Sequence, residues 1–388
     1  MQKTKVRNII LITIVVFLCL FGMLMIYSAS SYSSNILYGD SFHFVKKQIF
    51  GFIMGIGCFI FTYLFDYHRY YRLRWWIIGI SILLLVLVFV PGIGISANGA
   101  RRWIGFGSIN LQSSEVAKFG FVIFCAAYLS KNYMKTKMII GIMPLLSMGG
   151  ILCVLVMLEP NMSVTMCIAL VMIIMLIIGG MRWKHIAILS IPALALVILL
   201  IVIEPYRLSR LMAFINPWAN PKEDGYQLIQ SLYSLGAGGL FGVGLFNSRQ
   251  KYLFLPFAES DFIFAIIGEE LGLIGCIMVI SLYVFIIAIG IKIAVSASDR
   301  FGTYLASGIV SVIAVQLLIN IAVVTGSIPP TGIPMPFVSA GGTSLMVFMA
   351  AIGILCNVGK SKESSEEFRM NKFDMVLFKG KKKKENKI

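Results

Sequence analysis

Charge is what this chain has least of. Asp, Glu, Lys and Arg make up 13% of its 388 residues, against about 25% in soluble domains. Hydrophobic residues reach 59% and mean hydropathy is +0.90. So little polar surface cannot clothe a water-facing exterior, and the solvent for most of the chain must be lipid. Histidine is rarer still: His43, His68 and His185 stand far apart and exclude a zinc pattern. The seven cysteines, Cys19, Cys58, Cys125, Cys153, Cys167, Cys276 and Cys356, stand singly inside apolar runs. None has metal-ligand or redox spacing, so they read as small packing residues. The glycine-rich run Gly236–Gly244 lacks the preceding strand and βαβ setting of a dinucleotide loop. Its glycines are expected to permit tight turns and close backbone approach.

What is present in abundance is long apolar runs. A bilayer core needs about 20 apolar residues of helix. Ten runs meet that need, near Ile9–Tyr27, Ile49–Phe65, Trp75–Val90, Ser113–Leu129, Ile139–Leu158, Met162–Ile178, Ile186–Ile203, Phe262–Ile291, Tyr304–Val324 and Thr343–Val358. The fourth is weakest because it contains Glu115 and Lys118. The first follows Lys3, Lys5 and Arg7 but is longer than the apolar stretch of a cleaved leader, and is expected to remain as a helix. The expected fold is therefore an all-α integral membrane protein of about ten transmembrane helices.

The net charge of +16 would suggest nucleic acid in a soluble protein, but its distribution points to topology instead. With the N-terminus in the cytoplasm, the cytoplasmic segments and tail hold 23 of the 33 Lys and Arg residues. Both termini are expected to be cytoplasmic, and no nucleic-acid partner is expected. Residues 1–358 form the polytopic membrane domain. Residues 359–388 form a basic tail whose Lys379–Lys387 run anchors the topology and meets anionic headgroups. Two outer segments are long: Pro91–Gln112, and the large loop Glu204–Ser260 between helices 7 and 8, which is read as non-helical yet ordered by its aromatic residues.

Ionisable residues inside apolar helices are costly and are functional candidates by default. Glu115 and Lys118, three residues apart, share a helix face and can neutralise each other; they form either a structural ion pair or part of a site. Asp261 stands where the large loop meets the eighth run. Ser260 or Asp261 could cap that helix, or Asp261 could serve as a proton acceptor at the membrane boundary. Glu269 and Glu270, about two turns deeper, need partners and read as structural. The segment Thr325–Ser344 is too rich in proline for a continuous helix. Irregular backbone near a membrane must be buried in protein or line a wet cavity, so it is a candidate cavity wall.

Taken in order, several segments resemble the SEDS family of peptidoglycan glycan-strand polymerases. They are Asn98-Gly-Ala-Arg-Arg-Trp-Ile, Gln112-Ser-Ser-Glu-Val-Ala-Lys, Glu159-Pro-Asn, Tyr226-Gln-Leu-Ile-Gln-Ser-Leu-Tyr, Gly238-Gly-Leu-Phe-Gly-Val-Gly, Ser248-Arg-Gln-Lys-Tyr, Asp261-Phe-Ile-Phe-Ala-Ile-Ile-Gly-Glu-Glu-Leu-Gly, and Val324-Thr-Gly through Ser344-Leu. The Ser248-Arg-Gln-Lys and Tyr226-Gln pieces look more like the division and sporulation branch than the elongation branch. The chain departs from the family pattern at Ser113, at Asn161-Met-Ser-Val, at Ser260, at Ala340 and at Thr343.

The resemblance implies a glycosyltransferase of the bacterial plasma membrane that polymerises lipid II and releases undecaprenyl diphosphate. It gives Asp261 the role of general base, and implies a class B penicillin-binding transpeptidase as partner, with membrane lipids around both. Arg101, Arg102, Trp103, Glu115 and Lys118 match its motifs, and with Arg249 and Lys251 they are the candidates for substrate or diphosphate contact. No cofactor is evident; a divalent metal could share the diphosphate's charge, though no ligand cluster is visible in the sequence. A precursor transporter (flippase) or a non-catalytic division scaffold are the alternatives.

Overall fold

Each of the ten apolar runs corresponds to a helix in the computed structural model, which describes residues 2–97, 100–106, 109–203, 205–223 and 225–360. The helices are α1 (Gln2–Tyr38), α2 (His43–Leu64), α3 (His68–Leu87), α4 (Ser113–Asn132), α5 (Ile139–Leu158), α6 (Met162–Ile178), α7 (Trp183–Ile203), α8 (Pro205–Ile215), α9 (Tyr226–Gly238), α10 (Ile263–Val295), α11 (Arg300–Val324) and α12 (Gly342–Lys360). Seven of them, α1, α2, α3, α5, α10, α11 and α12, are long and apolar enough to cross a membrane. Helix α6 is apolar but only 17 residues long. Of the basic tail, only Gly359 and Lys360 fall among the described residues.

Burial separates the bundle into inner and outer helices. Helices α4, α11 and α12 are apolar on most sides and bury most of their length. Helix α11 packs against α4, α6 and α10. Helices α2 and α3 instead turn large side chains outward, among them Phe61, Leu64 and Trp76. Such a surface is stable only against lipid. Helix α1 is tied to the last helix by the Asn8 amide, which donates to the Cys356 carbonyl (3.0 Å).

Both long connecting segments are more ordered than their composition suggests. Pro91–Gln112 contains a three-stranded antiparallel sheet of β1 (Gly94–Ala97), β2 (Ala100–Phe106) and β3 (Ile109–Gln112). Trp103 pairs with both Ile95 and Gln112, which sets the register. The fold is thus mostly helical rather than purely so. The Glu204–Ser260 stretch, expected to be non-helical, contains α8 and α9. These are short amphipathic helices of 11 and 13 residues, too short and too polar to register as spans.

Helix α10 is broken at Gly272, whose φ of 67° and ψ of −165° lie outside helical space. At the break, Val243 and Gly244 donate backbone hydrogen bonds to the carbonyls of Glu269 and Glu270 (2.9 and 3.0 Å). Leu273 and Ile274 donate to Gly239 and Leu240 (2.9 and 3.2 Å). The glycine-rich run therefore supplies partners that the interrupted helix lacks. Only glycine allows this approach: a Cβ on Gly242 would lie 2.2 Å from the Glu270 carbonyl oxygen.

Candidate active site

The turn after Pro256, the β-sheet, the first turns of α6 and α12, α8 and the proline-rich connection enclose one cavity of about 1210 Å³. Its wall includes Arg102, Trp103, Asn110 and Gln112 from the sheet, Ser163 from α6, Arg210 from α8, and Asp261. Pro329, Pro330, Thr331 and Gly332 close another side, so the segment Thr325–Ser344 does form part of a cavity wall.

Asp261 is held by its backbone. The Asn320 amide of α11 donates to the Asp261 carbonyl (2.9 Å) and also to that of Ile333 (2.7 Å). The Ser339 hydroxyl donates to the Ser260 carbonyl (2.5 Å), and Ala340 N–H donates to the Glu259 carbonyl (2.9 Å). The N-cap of α10 is Phe262, and no side chain makes a capping bond there. Neither Ser260 nor Asp261 caps the helix, so the carboxylate is not committed to that structural task. Gly332 lets the proline-rich wall come close: its φ is +75°, and a Cβ there would sit 3.0 Å from Asp261 Oδ2.

Electrostatics suit proton acceptance. Burial pushes the Asp261 carboxyl up to about 6, while the Ser260 hydroxyl and the charges of Arg102 and Arg210 hold it from rising further. A base whose pKa lies just below the working pH is both ionised and basic enough to act. Arg102 is anchored through Nε to the Glu159 carbonyl (3.3 Å) and through Nη2 to the Pro160 carbonyl (2.5 Å). Arg210 donates to the Pro330 carbonyl (3.0 Å). Glu159 is buried with one oxygen accepting from the Ser113 hydroxyl (2.9 Å). Burial pushes its carboxyl up to about 8 against the pull of Ser113 and Arg102.

Of the residues singled out in the sequence, Asp261, Arg102 and Trp103 come together on the cavity wall. Arg101 is exposed on β2 and lies outside that lining. Glu115 and Lys118 form a buried pair (2.8 Å) behind the wall. Lys118 also donates to Gln316 Oε1 (2.5 Å), Gln316 donates to the Pro334 carbonyl (2.9 Å), and the Ser344 hydroxyl donates to Glu115 (3.2 Å). Pro334 and Ser344 do line the cavity, so the pair braces the wall from outside. Arg249 and Lys251 also lie off the cavity. The Arg249 side chain is exposed while its N–H donates to Glu269 (2.9 Å). Lys251 is buried, donates to the Phe246 carbonyl and lies 3.6 Å from Glu270.

Several contributors escaped sequence reasoning. Lys46 and Lys47 of α2, Arg210, and the positioning pair Gln316 and Asn320 are the main ones. Gln316 and Asn320 are four residues apart on one face of an apolar helix, and polar side chains at such spacing are the signal that could have found them. The departures from the family pattern have local roles. Ser113 holds Glu159, Asn161 caps α6 by accepting from Val164 N–H (3.3 Å), and Thr343 donates to the Asn110 carbonyl (2.5 Å). Among the described residues, no group of three or more His, Cys, Asp or Glu could hold a metal ion.

Known proteins are similar to this chain in sequence and fold. The stage V sporulation protein E of Bacillus subtilis (strain 168) is 39% identical, over 92% of this chain and 98% of its own length. The probable peptidoglycan glycosyltransferase FtsW of Geobacter metallireducens is 38% identical, over 92% of this chain and 96% of its own. Among solved structures, a chain from a study of the structural coordination of polymerization and crosslinking by a peptidoglycan synthase complex superposes with a TM-score of 0.75. It is 23% identical, and the match covers 91% of this chain and 97% of that one. The Thermus thermophilus rod shape determining protein RodA superposes at 0.65 with 21% identity, covering 91% and 96%; at these identities the two structures speak for the fold. The family model described as cell cycle protein, FTSW_RODA_SPOVE, matches residues 9–364, and the chain belongs to that family.

Proposed function

We propose that this chain is a peptidoglycan glycosyltransferase that joins lipid-linked disaccharides from lipid II into glycan strands. The observation that carries the reading is Asp261: a carboxylate on a cavity wall, fixed by its backbone, free of any capping role, and beside two guanidiniums. In the reaction, a sugar hydroxyl of one lipid-linked disaccharide attacks the anomeric carbon of another. Asp261 takes the hydroxyl proton, and undecaprenyl diphosphate leaves with the bonding electron pair. Fixed cations beside a leaving diphosphate offset charge as it develops, and Arg102 and Arg210 are the residues placed to do so.

The setting is the bacterial plasma membrane. We assign ten spans, adding α4, α6 and α7 to the seven long apolar helices, with both termini in the cytoplasm, an orientation that the excess of Lys and Arg in those segments supports. Asp261 then faces the outer side, where wall is built. The basic tail meets anionic lipid, and a class B penicillin-binding transpeptidase is the partner that would cross-link the strand.

The test is purified full-length protein, alone and with such a partner, incubated with lipid II in detergent. Glycan polymer supports the reading. No polymer, together with lipid movement in vesicles, would make the chain a transporter, and neither activity would leave a scaffold.

A further inference from the structure

Transfer between two lipid-linked sugars requires two diphosphates to be bound at once, and only the donor's departs. The cavity is large enough for this: about 1210 Å³ exceeds the roughly 300–1,000 Å³ of a site for one drug-sized ligand. Its cations also fall into two groups on different elements. Arg102 from β2 and Arg210 from α8 both act on the Asp261 carboxylate. Lys46 and Lys47 come from the first turns of α2 and line the wall where that helix meets the start of α12. There, Gln48 donates to the Ser339 carbonyl (3.2 Å) and accepts from Gly341 N–H (3.0 Å), which locks the lysine-bearing turn to the segment that leads into α12. The first turn of α12 adds the positive end of a helix dipole to the same wall.

Reaction geometry says which group serves which diphosphate. The base must touch the attacking hydroxyl, and that hydroxyl must touch the donor's anomeric carbon. The donor diphosphate is bonded to that carbon and so lies beside the base. The acceptor's diphosphate lies at the far end of its disaccharide. We propose that Arg102 and Arg210 hold the departing donor diphosphate, while Lys46 and Lys47 form a separate subsite for the acceptor's diphosphate. This assignment rests on the glycosyl-transfer reading. Atoms balance without a co-reactant: the acceptor O–H proton goes to Asp261, the new O–C bond replaces the C–O bond to phosphate, and that bonding pair leaves with the diphosphate. Lys46 already pairs with Asp40 (2.8 Å), and this exposed bridge is weak enough for a polyanion to displace.

The experiment uses the full chain with a donor-only substrate, labelled lipid II blocked at its attacking hydroxyl. It is offered two acceptors: lipid II, and a soluble disaccharide that carries no diphosphate. Lys46→Gln combined with Lys47→Gln should lower the preference for lipid II over the soluble acceptor by at least about tenfold, the worth of a charged hydrogen bond. Arg210→Gln should reduce transfer to both acceptors and keep their ratio. If the soluble sugar accepts nothing, KM for acceptor lipid II at saturating donor decides, with a rise of at least about tenfold expected in the double variant. An unchanged ratio, or unchanged KM, in well-folded double variant overturns the subsite and leaves the lysines as headgroup contacts. Both lysines are exposed, so the variant should fold, and thermal unfolding checks that it does. Absence of transfer to any acceptor by the wild type, with or without the partner transpeptidase, overturns the glycosyl-transfer reading itself and the subsite with it.

Discussion

Asp261 and the Glu269–Glu270 pair stand within nine residues of each other, at the start of one helix, yet they are treated in opposite ways. Glu269 accepts from the hydroxyls of Ser234 (3.2 Å) and Ser248 (2.5 Å) and from Arg249 N–H (2.9 Å). Glu270 accepts from the Ser28 hydroxyl (2.6 Å) and Ser248 N–H (3.2 Å), with Lys251 nearby. Three of the four carboxylate oxygens are consumed in pinning the 248–251 turn and α1 to α10, and the fourth, Glu270 Oε2, is buried without a hydrogen-bond partner. Asp261 is held by main-chain bonds to Asn320 and its neighbours, which leave its side chain facing the cavity. The glutamates spend their bonds joining remote segments, whereas Asp261 has its backbone fixed and its side chain on the wall of a space that a ligand can enter.

The sharpest way to break this contrast is Asp261→Asn. It should keep folded protein at wild-type level, because no cap is lost, while polymer formation falls by about 10²–10⁴-fold. Near-normal polymer from well-folded variant would place Asp261 with the other acids. Next in size is Lys118→Met, which strands Glu115 as a buried charge and should cost about 3–5 kcal/mol of stability. Glu115→Gln in the same chain should recover part of it, read as folded protein in the membrane. Loss of activity at unchanged stability would instead move Lys118 from bracing to substrate contact. Ser248→Ala removes a donor to Glu269 and should cost about 1–3 kcal/mol, measured by thermal unfolding, with polymerisation per folded molecule unchanged. The smallest effect is on pH. Activity should fall as pH drops through about 6, where Asp261 takes up its proton. Arg210→Gln removes a charge that favours the ionised form, so the acid limb of the rate profile should move upward by a fraction of a unit. A downward shift would refute the electrostatic role of Arg210.

Much of this is legible in the sequence. Each of the ten apolar runs located a helix, and in seven of them length and hydropathy suffice for a span. Asp261 was legible because an acid at the edge of an apolar helix is expensive and invites a reason. Arg102 and Trp103 came from motif resemblance, as did Arg249 and Lys251, while Lys118 stood out as a charge inside an apolar run; neither signal could say on which side of a wall each side chain lies. That depended on partners remote in sequence: Gln316 for Lys118, and Glu269 and Glu270 for the Ser248–Lys251 turn. Arg210 was hidden for another reason. It sits on an 11-residue amphipathic helix that hydropathy averages to nothing. The sheet was missed because two of its three strands have only four residues, too few to show an alternating pattern.

Helix α1 has 37 residues, which at 1.5 Å per residue gives roughly 55 Å, well beyond the ~30 Å of a bilayer core. Its surplus is occupied: Tyr27 meets Phe246 edge-on (6.1 Å between ring centres), Tyr32 meets Tyr252 (4.9 Å), and Ser28 bonds Glu270. The helix is therefore a mast as well as a span. It carries the 246–252 rigging at a set height, and through Glu270 it ties that rigging to α10, the helix that Asp261 immediately precedes. Deleting a turn from the mast would leave its apolar length sufficient to cross the membrane, yet would lower and rotate everything lashed to its upper end.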